Sequence, residues 1–204
     1  AYGHGLFDVA SAVGEADAVG VARLGEASRL RESGFSSPIV VLAGINSSDE
    51  LQLAQTLNCD LVVHSFEQIE MLESTTTRCG RIWLKIDTGM HRLGVSVEIA
   101  DSEFRSLQAC GAVGRIRLMR HFANADEPAH PMNQKQLSVF SHVCETLAQS
   151  DASMANSAAL VAMPEIHMQW VRPGIMLYGS SPLKSKTADE LVLRPVMQFE
   201  SRLL

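Results

Sequence analysis

The chain contains no apolar run approaching the ~18 residues of a membrane-crossing helix. It also lacks the basic surplus of a nucleic-acid binder. Seventeen lysines and arginines stand against 23 acidic residues, for a net charge of −6, so that class is set aside. Its four cysteines, Cys59, Cys79, Cys110 and Cys144, form no Cys-x-x-Cys pair, which argues against a zinc ribbon or a redox dithiol. Cys59 and Cys144 sit within apolar patterns and read as small buried hydrophobes, and free thiols fit a reducing cytoplasm. Gly-x-Ser-x-Gly, a Walker loop and Gly-x-Gly-x-x-Gly are all absent. Hydrolase, nucleotide-binding and Rossmann readings therefore have no motif behind them.

What the chain does have is a rhythm. Residues 39–44 (IVVLAG), 59–64 (CDLVVH) and 82–87 (IWLKID) are continuous apolar runs, with centres at Val40, Val62 and Leu84 spaced 22 residues apart. Unbroken β-branched runs suit strands covered on both faces, as in a parallel sheet. Helical patterns lie between them, with Ser47 to Glu50 and Ser65 to Gln68 read as capping boxes. An earlier unit pairs a strand at 18–22 with a helix from Glu26 to Arg31. Later units place a strand at 116–122, a helix from Asn133 to about Gln149, and short strands near Ser153 and at 167–171. Alternating strands and helices predict an α/β fold, a (β/α)₈ TIM-type barrel that is short of its full complement of strands. Residues 192–204 break the rhythm with simple alternation, like an antiparallel strand entering a β domain.

Barrel chemistry belongs to the loops at strand carboxyl ends, and the polar and glycine-rich clusters fall there. They are 87–92 (DTGMHR), 121–126 (HFANAD), 156–159 (NSAA) and 172–179 (RPGIMLYG). In the last, a glycine after proline lets backbone N–H groups approach an anion, with Arg172 as a permanent cation and Ser157 one loop away. A plain Pro-Gly turn with a surface arginine is the alternative. Lys85 interrupts an apolar strand on the same face as Asp87. Either Asp87 neutralises it, or its charge is altered chemically, or it snorkels to solvent. His121, Asp126 and His130 match no metal-ligand spacing, and His121 reads better as a hydrogen-bonding support. His64 and His167 read as satisfied histidines.

Five stretches in one order, AYGHG (1–5), WLKIDTGMHRLG (83–94), HFANAD (121–126), ANSAA (155–159) and VRPGIMLYG (171–179), resemble bacterial alanine racemase. The resemblance runs from Ala1 to Leu204. It implies a pyridoxal 5′-phosphate (PLP) enzyme of the cytoplasm, with an N-terminal barrel and a C-terminal β domain, working as a head-to-tail homodimer. Such an enzyme interconverts L- and D-alanine for peptidoglycan synthesis or D-alanine catabolism. By this likeness, residues 1–191 form a partial PLP-binding barrel whose first strand is missing, and 192–204 begin the second domain. The family's cofactor lysine would lie three residues before Ala1, and its second base is a tyrosine of the partner subunit. Neither base is in this chain, whose other lysines, Lys135, Lys184 and Lys186, do not fit the role.

Position by position, Tyr2 matches a tyrosine on the cofactor phosphate, joined by Ser157 and the backbone of Gly174 and Ile175. Arg172 matches the arginine at the pyridine nitrogen, and His121 the histidine that supports it. Arg92 matches the arginine reaching the cofactor's phenolic oxygen and the substrate carboxylate. Asn156 resembles a member of the same polar network, and Leu42 a wall residue beside the ring. His4 is expected in a supporting role. Lys85 matches a lysine that is carbamylated in many members, which would turn it into an anion that orients Arg92. Rival readings are a serine or broad-specificity racemase of the same superfamily and a non-catalytic PLP-binding barrel.

Overall fold

The computed structural model describes residues 1–201, and within them eight strands. They are β1 (Val19–Val21), β2 (Ile39–Val41), β3 (Asp60–Val63), β4 (Gly80–Asp87), β5 (Val95–Ser96), β6 (Val113–Met119), β7 (Ala152–Asn156) and β8 (Trp170–Arg172). Seven of them form one parallel sheet in the order β1-β2-β3-β4-β6-β7-β8, while β5 pairs with the end of β4. The sheet is a curled, open part of a barrel, as the strand–helix rhythm predicts. Its helices are α1 (Leu6–Ala12), α2 (Leu24–Glu32), α3 (Ser48–Thr56), α4 (Phe66–Glu73), α5 (Ala100–Ala109), α6 (Pro131–Thr146) and α7 (Ser157–Ala162).

Strand parity sorts the side chains into two layers. Ile39, Val41, Leu61, Val63, Ile82 and Leu84 face outward and pack with helix residues such as Leu30, Ile69, Leu107 and Phe140. Val40, Val62, Trp83 and Met119 face inward and pack with Ala18 and Trp170. Below this inner layer lies a network of charge. Arg117 sits 4.4 Å from the Trp170 ring and 5.1 Å from the Trp83 ring. Its Nε donates to Asp151 at 3.0 Å and its Nη1 approaches Asp60 at 3.8 Å. Asp60 also accepts from Arg81 at 2.7 Å, and Asp151 pairs with Arg115 at 2.6 Å. Stacking and pairing together compensate the burial of these ions.

Local details depart from the sequence expectation in places. Ser47 caps α3 by accepting from the Glu50 N–H at 3.2 Å, but the Glu50 carboxylate accepts from Asn46 N–H, one residue earlier than a capping box requires. At α4 the Ser65 hydroxyl makes no cap. Gln68 instead accepts from His64 N–H and donates to the Ile45 carbonyl, because it is buried between two strand ends that both need partners. The helix expected from Asn133 begins at Pro131, whose absent N–H costs nothing there, under a His130 cap. The strand expected at 116–122 runs from Val113 to Met119, and β8 begins only at Trp170, after a 3₁₀ turn at Pro164–Ile166. Residues 192–201 contain no strand, since a strand needs a neighbour to hydrogen-bond and none faces them among the described residues. The rest of that segment, 202–204, lies outside the described residues.

Gly44 turns the chain from β2 toward α3 with φ +69°. A Cβ there would meet the Val62 carbonyl and lie 2.5 Å from Gln68 Nε2, whereas at Gly34, φ +87°, it would meet open space. Gly34→Ala is therefore expected to lower stability by about 1 kcal/mol, and Gly44→Ala by roughly 3 kcal/mol or more, in denaturant unfolding. Equal losses would show that backbone conformation alone matters at both.

Candidate active site

Loops from β4, β6, β7 and β8 meet at the carboxyl end of the sheet, and the segment before α1 closes on them. Tyr2 and His4 pack against Tyr178 with tilted rings, their centroids 5.0 and 4.6 Å away. Tyr2 takes φ +48° and Gly3 φ +85°, a tight reversal that sets this segment against the loop after β8. A Cβ on Gly174 would lie 3.0 Å from the Tyr2 hydroxyl and 3.9 Å from Ser157 Oγ. Both hydroxyls thus flank the space that a side chain at 174 would fill. Ser157 Oγ accepts from the N–H of Gly174 at 2.7 Å and of Met176 at 3.5 Å, so the hydroxyl faces the backbone run of 174–176. Two hydroxyls and a run of backbone N–H groups, with no carboxylate among them, form a donor set suited to a phosphate.

Beside this cradle stands a group of cations. Arg172, at the end of β8, donates from Nη1 to Ser153 Oγ and from Nη2 to the Arg120 carbonyl at 2.5 Å and to His121 Nδ1 at 3.4 Å. Lys85 is 8% exposed and Arg120 is wholly buried. Arg92 is exposed at the rim. Among the described residues, none of these four cations forms an ion pair. Arg120 points outward between sheet and helices, its guanidinium 3.2 Å from the Phe122 ring centre, and its Nε and Nη1 find no acceptor. Burial and the nearby Arg172 push it down to about 9.

Asp87 does not neutralise Lys85. Its Oδ1 accepts from the N–H groups of Gly89, Met90 and His91 at 2.9 to 3.1 Å, and its Oδ2 holds the His91 ring at 3.0 Å. Burial acts to raise the Asp87 pKa, but those N–H groups and His91 outweigh it and hold the carboxyl below its ordinary value. Lys85 is left with burial and the charges of Arg92 and Arg172, which bring it down to about 8 despite Asp87. Snorkelling is excluded by its burial. His121 is brought down to about 3, by burial first and then by Arg172, Arg92, Lys85 and Arg120. It is neutral, so its Nδ1 accepts from Arg172.

The remaining candidates separate. Asn156 Oδ1 caps α7 by accepting from Ala159 N–H at 3.0 Å. Leu42 stands half exposed above Gly20, in contact range of any Cβ placed there. His130 caps α6, and Asp126 pairs with Lys184 at 3.2 Å, so neither shares a centre with His121. His64 and His167 bond to the carbonyls of Ala43 and Leu160, each at 2.9 Å. Sequence reasoning did not single out Ser153 or Arg120, or the ionic network of Arg117. Ser153 and Arg117 fall at inward positions of β7 and β6, a parity signal that was available.

Comparison with known proteins gives a concordant result. A family model described as "Alanine racemase, N-terminal domain" matches residues 1–182. The chain is 42% identical over 207 residues to an alanine racemase of Photobacterium profundum, and 40% identical over 207 residues to a biosynthetic alanine racemase of Escherichia coli. Each match covers all of this chain and 57% of the relative, so the chain spans just over half the length of the curated relatives it matches. The structure of alanine racemase from Acinetobacter baumannii superposes with a TM-score of 0.90 at 39% identity, covering 96% of this chain and 55% of that one. The biosynthetic enzyme from Pseudomonas aeruginosa gives 0.89 at 40%, covering 95% and 55%.

The cation cluster fixes the sign of two pH effects. Unfolded chain takes up a proton on His121 near 6.5 that the folded form refuses until about 3, so stability falls as pH drops through that window. Unfolded chain keeps the Lys85 proton up to 10.5 that the folded form releases near 8, so stability rises with pH between those values. Each slope is at most about 1.4 kcal/mol per pH unit. His121→Asn should flatten the acid limb and Lys85→Met the alkaline limb of ΔG against pH. Unchanged limbs would contradict the charge assignment.

Proposed function

The chain belongs to the alanine racemase family, and on that premise we propose that its protein interconverts L- and D-alanine with PLP held at this site. The observation that carries the reading is one mouth of the sheet joining a phosphate-type cradle to a cluster of unpaired cations. The cradle residues fit the group: Tyr2, Ser157 and the backbone of Gly174 and Ile175 would hold the phosphate. Arg172 would donate to the pyridine nitrogen, Arg92 would reach the phenolic oxygen and the substrate carboxylate, and Leu42 would wall the ring. Bound there, PLP supplies an electron sink that acidifies the Cα–H of an attached amino acid.

This chain's own residues tune that chemistry. Arg172, a permanent cation, would give the pyridine nitrogen a hydrogen bond but could accept no proton from it, which would favour an unprotonated ring and restrain its electron withdrawal. His121, neutral, holds the guanidinium from behind without adding charge. Racemisation needs an acid–base group on each face of Cα; by the family resemblance these are a lysine upstream of Ala1 and a partner tyrosine, both outside residues 1–204. We place the protein in the cytoplasm as a head-to-tail homodimer, with residues 192–204 opening a second domain. Exposed Val192, Val196, Met197 and Phe199 support that last reading, and the free cysteines, which suit a reducing environment, support the cytoplasmic one.

Lys85 completes the picture as a carbamate. With a pKa near 8 its amine is partly neutral at physiological pH. The Nζ lone pair attacks the carbon of CO₂, an N–C bond forms, and one N–H proton passes to solvent. The product is an anion set among cations that have none. Protein incubated with ¹³C-bicarbonate should show a carbamate resonance that is absent from Lys85→Met and grows between pH 7 and 9. A spectrum identical in Lys85→Met would refute the modification.

The function itself is tested on the full-length protein. PLP should bind, L-alanine should racemise in a D-amino-acid-coupled assay, and Gly174→Ala should weaken PLP binding about tenfold or more by displacing the Tyr2 hydroxyl. Racemisation of serine with none of alanine would overturn the substrate; absence of PLP binding would overturn the site.

A further inference from the structure

We propose that Ser153 is the positioning residue for Arg172, fixing which edge of its guanidinium faces the ligand; this rests on the cofactor reading above. Ser153 is wholly buried on β7. Its hydroxyl proton has one destination, the Trp170 carbonyl at 2.9 Å. A hydroxyl carries one proton and two lone pairs, so with the proton committed it presents only lone pairs to Arg172 Nη1, which donates to it.

The proton's target belongs to a residue held on several sides. Trp170 donates through Nε1 to Asp151 at 2.9 Å, meets Trp83 edge to face at 5.3 Å, and has Arg117 over its ring. Strand register explains why a side chain is needed here. Ser153 pairs with Trp170 but the next pair is Asn156 with Arg172, three steps on β7 against two on β8. The ladder slips between them. The Ser153 hydroxyl bridges the slip, tying the strand and the arginine that ends it in one contact.

Counting donors gives the consequence. A guanidinium has five N–H donors in a rigid fork. One Nη1–H goes to Ser153, and Nη2 gives its two to the Arg120 carbonyl and His121 Nδ1. Nε–H and the second Nη1–H remain. Without the Ser153 anchor, Nη1 has no fixed partner and the fork is held through Nη2 alone.

The experiment uses full-length protein as wild type, Ser153→Ala, Ser153→Thr and Ser153→Cys. First, the ¹⁵N guanidinium resonances of Arg172 are followed without added PLP. Wild type and Ser153→Thr should show slow rotation about Cζ–Nε, and Ser153→Ala should show it quickened roughly tenfold or more, as loss of about one hydrogen bond implies. Second, with PLP labelled at the pyridine ¹⁵N, Ser153→Ala should shift that resonance toward its value in free PLP and weaken binding ~3- to 10-fold, with Ser153→Thr restoring both. Should Ser153→Ala not fold, Ser153→Cys, with a longer and weaker acceptor, should move both readouts in the same direction. Arg172 resonances unaltered in a folded Ala or Cys variant would overturn the proposal. A wild type that binds no PLP would overturn the cofactor reading, while the guanidinium measurement would still decide the role of Ser153.

Discussion

Everything at the mouth of this sheet follows from an excess of buried positive charge. Lys85, Arg120 and Arg172 are drawn out of water at one end of a low-dielectric sheet, with exposed Arg92 nearby, and among the described residues none of them forms an ion pair. Coulomb repulsion between such groups is several times stronger there than in solvent. Each titratable neighbour yields in turn. Lys85 loses its proton more readily, His121 refuses one, and the hydrogen bond between Arg172 and His121 acquires a single direction. An anionic ligand, or an anion made from Lys85 itself, is what such a site lacks.

The same sheet also carries acid, but places it elsewhere. Asp60 and Asp151 sit at the amino ends of their strands, on the inward face, where they bind Arg81, Arg115 and Arg117. Asp87 is near Lys85 but is held by three N–H groups of its own loop. Parallel strands make this segregation possible, because every amino end lies on one side of the sheet and every carboxyl end on the other. The floor is closed by paired ions and two tryptophans. The mouth stays electrostatically open. Between the two, Trp170 on β8 and Ser153 on β7 link the floor to Arg172, so contacts below set orientation above.

Much of this was legible in the residues alone. Unbroken apolar runs at 39–44 and 59–64 could be read as buried parallel strands because burial on both faces leaves no room for alternation. Lys85 could be recognised as misplaced because a lone lysine in such a run breaks that rule, and the clusters at strand ends marked the site. Other features were not legible, for physical reasons. Whether Asp87 serves Lys85 or its own loop depends on a turn whose His91 takes φ +56°. Gln68 left its expected cap because burial between two strands outweighed a local bond. α1 and α5 carried apolar residues at helical spacing, at Leu6, Val9 and Ala10 and at Ala100, Phe104 and Leu107, and a closer reading of period would have found them. Ser153 acquires meaning only through register. Its partner Arg172 is 19 residues away, and the slip that brings them together is set by pairing between strands.

Arg120 shows how far the site departs from the most stable arrangement. A guanidinium sealed against Phe122 with two unsatisfied nitrogens lowers stability, and an apolar residue of its size would fill the same space without that loss. Its backbone nonetheless supplies the carbonyl that receives Arg172, a role any residue could fill. What only a cation supplies is the field, which acts on His121 in the same sense as Arg172, Arg92 and Lys85. Its charge therefore reinforces the neutrality on which the Arg172–His121 contact depends. Local instability and a charge that acts with the rest of the cluster thus coincide at one side chain, although Arg172, Arg92 and Lys85 each act on His121 more strongly.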